Sequence, residues 1–348
     1  PQPLPNIPRH AEKDATCFAA LLFTALMAGP ALAQMPDYVP DKIDTTADKK
    51  ATGWHPMLKA SGTGAFSHAS KVVGTDDGST WNLGLVINGG LDYRSAQGHI
   101  WENLLKYQLT YSKTPLFDDF YKSLDNLDFS STYLYEIPSV PWVGPFASFR
   151  ALTSLLPGYV MRPADTGLIL LDKEGNLLDD TTTLLANEQL DLTDSFSPTT
   201  LRESIGIFAR PVQKKVIEFQ ARAGLGAWEV FVRDGLTIDK EEDGVLTIKE
   251  MQDSIQAGGE LELSAKGVIT DGVNYGAKAG FMMPFYHNAD TDLEGTDLLN
   301  MEFEASVGVK LTTWASLDYA LKAYKYPLIV NDWQVSNSLL LTATASIL

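Results

Sequence analysis

Thiols are all but missing from this chain. Its single cysteine, Cys17, lies in an N-terminal apolar stretch, so the rest of the protein has no thiol for a disulfide or a Cys-ligated metal. Basic residues are scarce, 27 Lys and Arg against 44 Asp and Glu, for a net charge of -17. That balance excludes nucleic acid as a partner, because phosphate binding needs clustered cations. Long hydrophobic runs are absent beyond residue 34, and none approaches the ~18–20 apolar residues of a membrane helix. The five histidines, His10, His55, His68, His99 and His287, have no metal-ligand spacing. No nucleophile elbow, Walker loop or dinucleotide glycine motif occurs, so the sequence reads as a non-enzyme. His68 alone is placed for a cross-strand Ser–His pair, and an ordinary satisfied surface or lumen histidine is by far the favoured account.

What is present begins with a targeting pattern. Residues 1–33 read as a Pro-rich upstream extension followed by a signal peptide. Arg9 and Lys13 precede the apolar run Cys17–Ala28, and Ala31-Leu32-Ala33 supplies a small-x-small cleavage site before Gln34. Residues 34–53 are polar and without period, a flexible periplasmic lead-in. Residues 54–348 carry the repeating pattern.

That pattern is period-two alternation over long stretches. From Thr80 to Arg94 one face holds Trp81, Leu83, Leu85, Ile87, Gly89, Leu91 and Tyr93. The other holds Asn82, Gly84, Val86, Asn88, Gly90, Asp92 and Arg94. Soluble strands average about 5–6 residues, whereas a tilted strand needs roughly 9–11 to cross a bilayer. An aromatic at each end of the apolar face suits the two membrane interfaces. Ile100–Ser112 repeats the pattern, with Trp101, Leu105, Tyr107, Leu109 and Tyr111 outward. Weaker or shorter versions follow to the end of the chain, about twelve strands in all. The expected fold is therefore all-β, an antiparallel transmembrane β-barrel.

Loop lengths test this independently. Connections at Ala96–His99, Ile137–Trp142, Pro211–Lys215, Asp271–Val273 and Thr312–Thr313 are short. Those at Lys71–Ser79, Lys113–Ser123, Leu155–Thr200, Arg233–Gly259, His287–Leu298 and Pro327–Gln334 are longer. Short and long alternate, as when one rim faces a periplasm and the other the outside.

The acid is concentrated on the outer rim. Leu155–Thr200, Arg233–Gly259 and His287–Leu298 together hold 19 acidic and 5 basic residues, net -14. Within them, Asp239–Glu250 matches a twelve-residue EF-hand calcium loop. Asp239, Glu241 and Asp243 supply oxygens at positions one, three and five. Gly244 takes the sharp turn, Val245 offers its carbonyl, and Glu250 can chelate through both oxygens. These five residues, without Gly244, are the candidate metal ligands, with Ca2+ as the ion and a helix Ile248–Gln256 expected after them. An ordinary acidic loop is the competing account, since no helix enters the loop and position three is Glu. Asp290, Asp292 and Glu294 form a second cluster, but Met301 stands at its position twelve.

The inward faces mix signs, among them Glu102, Lys106, Asp128, Arg150, Arg202, Arg222, Glu262, Lys278, Glu302, Glu304 and Lys322. Such a lumen either holds water or closes on itself through ion pairs. Over Trp54–Leu348 the chain resembles an uncharacterised family of Gram-negative outer-membrane β-barrels. The resemblance rests on Trp81-Asn-Leu-Gly-Leu85, Trp101-Glu-Asn-Leu-Leu105, Gly144-Pro-Phe-Ala147 and Trp333-Gln-Val-Ser-Asn-Ser-Leu-Leu-Leu341. It implies location and fold, and brings no catalytic residue. The family's strands commonly end on an aromatic, whereas this chain ends on Leu348.

The favoured functional reading is a monomeric outer-membrane barrel that passes or binds small solutes. Its acidic external loops would bind divalent cations and contact lipid and lipopolysaccharide. Two alternatives stand beside it: a non-conducting structural or adhesive surface barrel, and a secreted soluble β-sandwich.

Overall fold

The computed structural model describes residues 52–69, 78–117, 119–242, 244–289, 291–328 and 330–346. The segments read above as extension and signal peptide and all but the last two residues of the expected lead-in lie outside these residues, as do Asp243 and Asp290.

Twelve long strands form the main body. They are β1 (Gly53–Ala69), β2 (Gly78–Arg94), β3 (His99–Lys113), β4 (Tyr121–Tyr135), β5 (Val143–Thr153), β10 (Thr199–Lys214) and β11 (Ile217–Phe231), with β14 (Ser254–Thr270), β15 (Val273–His287), β16 (Asn300–Lys310), β17 (Ala315–Tyr326) and β18 (Val330–Ser346). Each pairs antiparallel with its neighbours, and β1 pairs with β18, so the sheet closes into a barrel with no free edge. β6 (Gly158–Met161), β7 (Thr166–Leu171), β8 (Leu177–Leu184) and β9 (Gln189–Thr193) lie between β5 and β10. β12 (Leu236–Glu242) and β13 (Val245–Glu250) lie between β11 and β14. A β-sandwich would keep two sheets with edges, so the closed ladder corrects that alternative.

The outward faces are apolar and bare of protein cover. Trp81, Leu83, Leu85, Ile87 and Leu91 are all exposed, while Asn82 and Val86 on the opposite face are buried. Soluble proteins rarely expose so large a contiguous apolar surface, and lipid is the solvent that favours it. Trp81 and Tyr93 are twelve residues apart, about 40 Å along a strand at ~3.3 Å per residue. At a tilt of about 40° that is roughly 30 Å of height, the thickness of a bilayer core. The tilted rings of Trp54 and Tyr93 pack with centres 4.9 Å apart near one rim, and those of Phe66 and Trp81 with centres 4.3 Å apart near the other. This is the architecture of an outer-membrane β-barrel.

The inner-rim turns are tight for local reasons. Between β2 and β3, Ser95 Oγ accepts bonds from the amides of Gln97 and His99. Gly98 there has φ +91°, and a Cβ would sit 2.4 Å from the Glu136 carbonyl oxygen. In the barrel wall, Gly206 of β10 stands opposite Gly224 of β11. A Cβ on Gly206 would fall 2.1 Å from the Ala223 carbonyl.

The outer rim differs from its sequence reading in three ways. β17 ends at Tyr326 and β18 starts at Val330. The Pro327–Gln334 connection therefore shrinks to residues 327–329, because Tyr326 pairs directly with Val330. No helix follows Gly244; Ile248–Gln256 is divided between β13 and the start of β14. The two longest acidic loops are not separate loops. β13 runs parallel to β7, joining β12-β13-β7-β8 into one four-stranded sheet, and β6 pairs with β9. This module has its own core of Val160, Leu168, Leu184, Leu246 and Ile248. Arg162 to Glu241, 2.7 Å, ties one loop to the other. Asp125 anchors the module to the barrel by accepting the amides of Leu155 (3.3 Å) and Leu156 (2.6 Å).

Candidate functional site in the barrel lumen

The hairpin decides the geometry of the proposed calcium loop. Glu241 pairs with Leu246 and Glu242 with Val245, next to the turn, whereas Glu250 pairs with Leu236 at the far end of the ladder. An EF-hand wraps positions one to twelve around one ion; an antiparallel ladder pulls them apart. Glu241 is engaged by Arg162. Asp239 falls at the irregularity between Ile238 and Lys240. Among the described residues no three His, Cys, Asp or Glu gather as a metal site. Asp239, Glu241, Val245 and Glu250 are thus spread along a hairpin. His68 does meet Ser79 at 3.0 Å, at an exposed site on the outer rim.

The barrel interior is where side chains converge. Period-two alternation on β3–β5, β10, β11 and β14–β17 turns the charged residues of one face into the lumen, and register places them on neighbouring strands. They line a chamber of about 570 Å³. Seven basic residues face it, Lys106, Arg150, Arg202, Arg222, Lys266, Lys278 and Lys322. Five acidic ones do, Asp128, Glu260, Glu262, Glu302 and Glu304.

Most of these charges are paired. Arg150 makes a bidentate contact with Asp128, Nε to Oδ1 at 3.0 Å and Nη2 to Oδ2 at 2.7 Å. Arg222 bonds Glu262, which also takes Lys278 at 3.0 Å. Glu302 takes Arg202 at 3.1 Å and Lys322 at 3.9 Å. Trp228 Nε1 donates to Glu260 at 2.7 Å. Charges removed from water are tolerable only when paired in this way.

One of these pairs crosses the lumen. Arg202 is on β10 and Glu302 on β16, four strands apart around the barrel. Arg202 also donates to Tyr326 Oη on β17 at 3.3 Å, five strands away where six is the maximum for twelve. The guanidinium lies 4.0 Å from the Trp228 ring centre and 5.5 Å from that of Tyr326. Two aromatic faces and a carboxylate therefore hold one cation across the bore.

Towards the inner rim the lumen is narrowed differently. Ile100, Leu134, Phe146 and Phe208 form a buried apolar cluster inside the barrel. Arg222 lies over the Phe146 ring at 5.6 Å, and Arg210 over Phe208 at 5.3 Å. Arg222, which lines the charged chamber, thus links it to this apolar cluster.

Of the inward charges expected from alternation, Lys106, Asp128, Arg150, Arg202, Arg222, Glu262, Lys266, Lys278, Glu302, Glu304 and Lys322 line the chamber, and most of them are paired. Trp228, Glu260 and Tyr326 escaped the sequence reading. The parity signal was present for Trp228, which shares a face with Arg222. An aromatic on a polar face marks a contact inside the bore.

No family model and no curated protein matches this chain. Among solved structures, similarity is found to an outer membrane channel from Pseudomonas putida, with TM-score 0.40 and 10% identity, covering 89% of this chain and 100% of that one. The translocator domain of autotransporter NalP from Neisseria meningitidis gives 0.39 and 9% identity, covering 95% and 97%. The β domain of the Bordetella autotransporter BrkA gives 0.34 and 14%, covering 84% and 98%. The closed ladder, and not these likenesses, establishes that the chain is a twelve-stranded transmembrane β-barrel.

Proposed function

We propose that this protein is a small-solute conduit of the outer membrane, held narrow by the Arg202–Glu302 bridge. The observation that carries the proposal is the charged chamber in the lumen that the bridge residues Arg202 and Glu302 themselves line. Its 570 Å³ lies within the ~300–1,000 Å³ range of small-molecule sites. That suits solutes of a few carbons to the size of a sugar, and not a polypeptide. A twelve-strand bore is intermediate between side-chain-filled and open barrels, so a single cross-lumen pair suffices to constrict it. Removing either partner breaks that tie, and removing Arg202 also clears its guanidinium from the bore; Glu302 keeps Lys322 and Arg202 keeps its aromatic faces.

Planar-bilayer recording of the purified full chain tests this. Wild type should show small unit currents, and Arg202→Ala should raise them several-fold. Glu302→Gln should also raise them, by a smaller factor, because the aromatic faces still hold Arg202. Electrical silence in wild type and both variants, with all three folded by gel mobility, would overturn the conduit.

A second reading has its own observation. The outer module folds around its own core and displays Leu177, Leu178 and Leu185, each more than half exposed. A surface-contact barrel would use such a face, and silence in the bilayer would favour it.

A further inference from the structure

The chamber contains an arrangement that strands ordinarily avoid. Arg150 of β5 and Arg202 of β10 stand directly opposite each other in the ladder. Like charges in that position repel and destabilise the pair. Both also face the same chamber. Their carboxylate partners come from elsewhere, Asp128 from β4 and Glu302 from across the bore. Arg202 Nε is buried and makes no hydrogen bond within the protein. A buried donor left unmatched on a cation is costly, and the planar fork of arginine matches carboxylate and phosphate oxygens two at a time.

We infer that Arg150 and Arg202 form an oxyanion site, and that the conduit's solutes carry a carboxylate or phosphate group that competes with Glu302 for Arg202. This deepens the conduit reading and rests on it for transport, though not for binding. An arriving oxyanion would satisfy Arg202 Nε and relieve the repulsion between the two guanidiniums. It would also take over the role of Glu302, so the cross-lumen bridge would open as the solute binds. Glu302 keeps Lys322 as a partner when Arg202 leaves, so its carboxylate is not stranded.

The inference runs against the overall charge. The chain is at -17, and its acid lies mainly in the outer loops. The chamber is lined by seven basic and five acidic residues. Screening over ~8 Å at physiological salt separates the two fields, so the local excess of cations governs what settles in the chamber.

The test is calorimetric titration of the folded, detergent-solubilised full chain with inorganic phosphate and, separately, acetate. Wild type should bind one or both, and Glu302→Gln should bind about tenfold more tightly because the internal competitor is gone. Arg202→Lys keeps the charge but loses the fork, and should weaken binding about tenfold. Arg150→Gln should weaken it similarly. Gel mobility checks that each variant is folded, and Arg202→Lys guards against a variant that fails for want of charge. No binding by wild type or Glu302→Gln would overturn the inference even if the barrel conducts. So would binding unmoved by the Arg150 and Arg202 changes. Oxyanion binding with this pattern in a barrel that never conducts would support the site while removing the conduit reading.

Discussion

The barrel and the module on its outer rim bury their apolar residues in opposite directions. The barrel turns Trp81, Leu83 and Ile87 outward and Asn82, Gln108 and Lys106 inward. The module turns Leu168, Leu184, Leu246 and Ile248 inward and leaves Asp239, Glu241 and Glu242 to solvent. One chain thus contains two solutions to the same burial problem, because one part meets lipid and the other meets water. The difference shows that an alternating strand is not by itself evidence for either solvent. Strand length and closure decide: module strands run 4–8 residues and leave sheet edges, whereas barrel strands run 11–17 and leave none.

The sharpest way to break this comparison is to empty the module core alone. Leu246, fully buried, changed to Ala should cost about 2–5 kcal/mol of module stability. Limited proteolysis should then cut within residues 155–198, while the unboiled protein keeps its shifted gel mobility. Loss of the barrel shift would mean that the two parts fold as one unit.

Next in size is a charge placed on each outward face. Ile87→Arg, midway between the aromatic rims, should cost about 2–4 kcal/mol when the barrel is refolded into lipid vesicles. Leu178→Arg, on the exposed surface of the module, should change stability by no more than about 0.5 kcal/mol. Equal effects at the two sites would remove the claim that they face different solvents.

The smallest effect concerns the turn joining β7 to β8. Asp172 accepts the Asn176 side chain at 2.9 Å and the backbone amides of Asn176 (2.7 Å) and Glu174 (3.0 Å). The Asn176 bond first, with the amides, holds the Asp172 carboxyl below the usual carboxylate range. A depressed folded value means the contribution is complete above the unfolded value and is lost as pH falls through the folded one. Protection of the Asn176 amide, corrected for the intrinsic pH dependence of exchange, should therefore fall on acidification below the ordinary carboxylate range, and Asp172→Asn should flatten that dependence. A pH-independent protection factor in wild type would contradict it.

Much of the barrel was legible because its signal is local. Alternation from Trp81 to Tyr93 gives the outward face whatever the partner strand, and the short inner turns carry their own residues, Ser95 and Gly98 among them. The parity rule failed at 327–329, where pairing of Tyr326 with Val330 consumed polar residues that composition assigned to a loop. The module was not legible for a related reason. Its sheet depends on β13 meeting β7 in parallel, across more than seventy residues of chain. The helix expected after the EF-hand pattern at Asp239–Glu250 is replaced by a strand because the same residues also suit a hairpin, with Gly244 turning in either fold. Gly244 has φ +77°, a conformation both would use.

The lumen divides in the same way. By itself the sequence determined which residues face inward, and that their signs are mixed, because facing follows from a two-residue period. Only the tertiary structure decided that Arg150 stands opposite Arg202, that Arg202 crosses the bore to Glu302, and that Trp228 and Tyr326 hold it there. Those contacts depend on register and on closure of twelve strands. They join residues up to 124 positions apart, and no local pattern encodes such a distance.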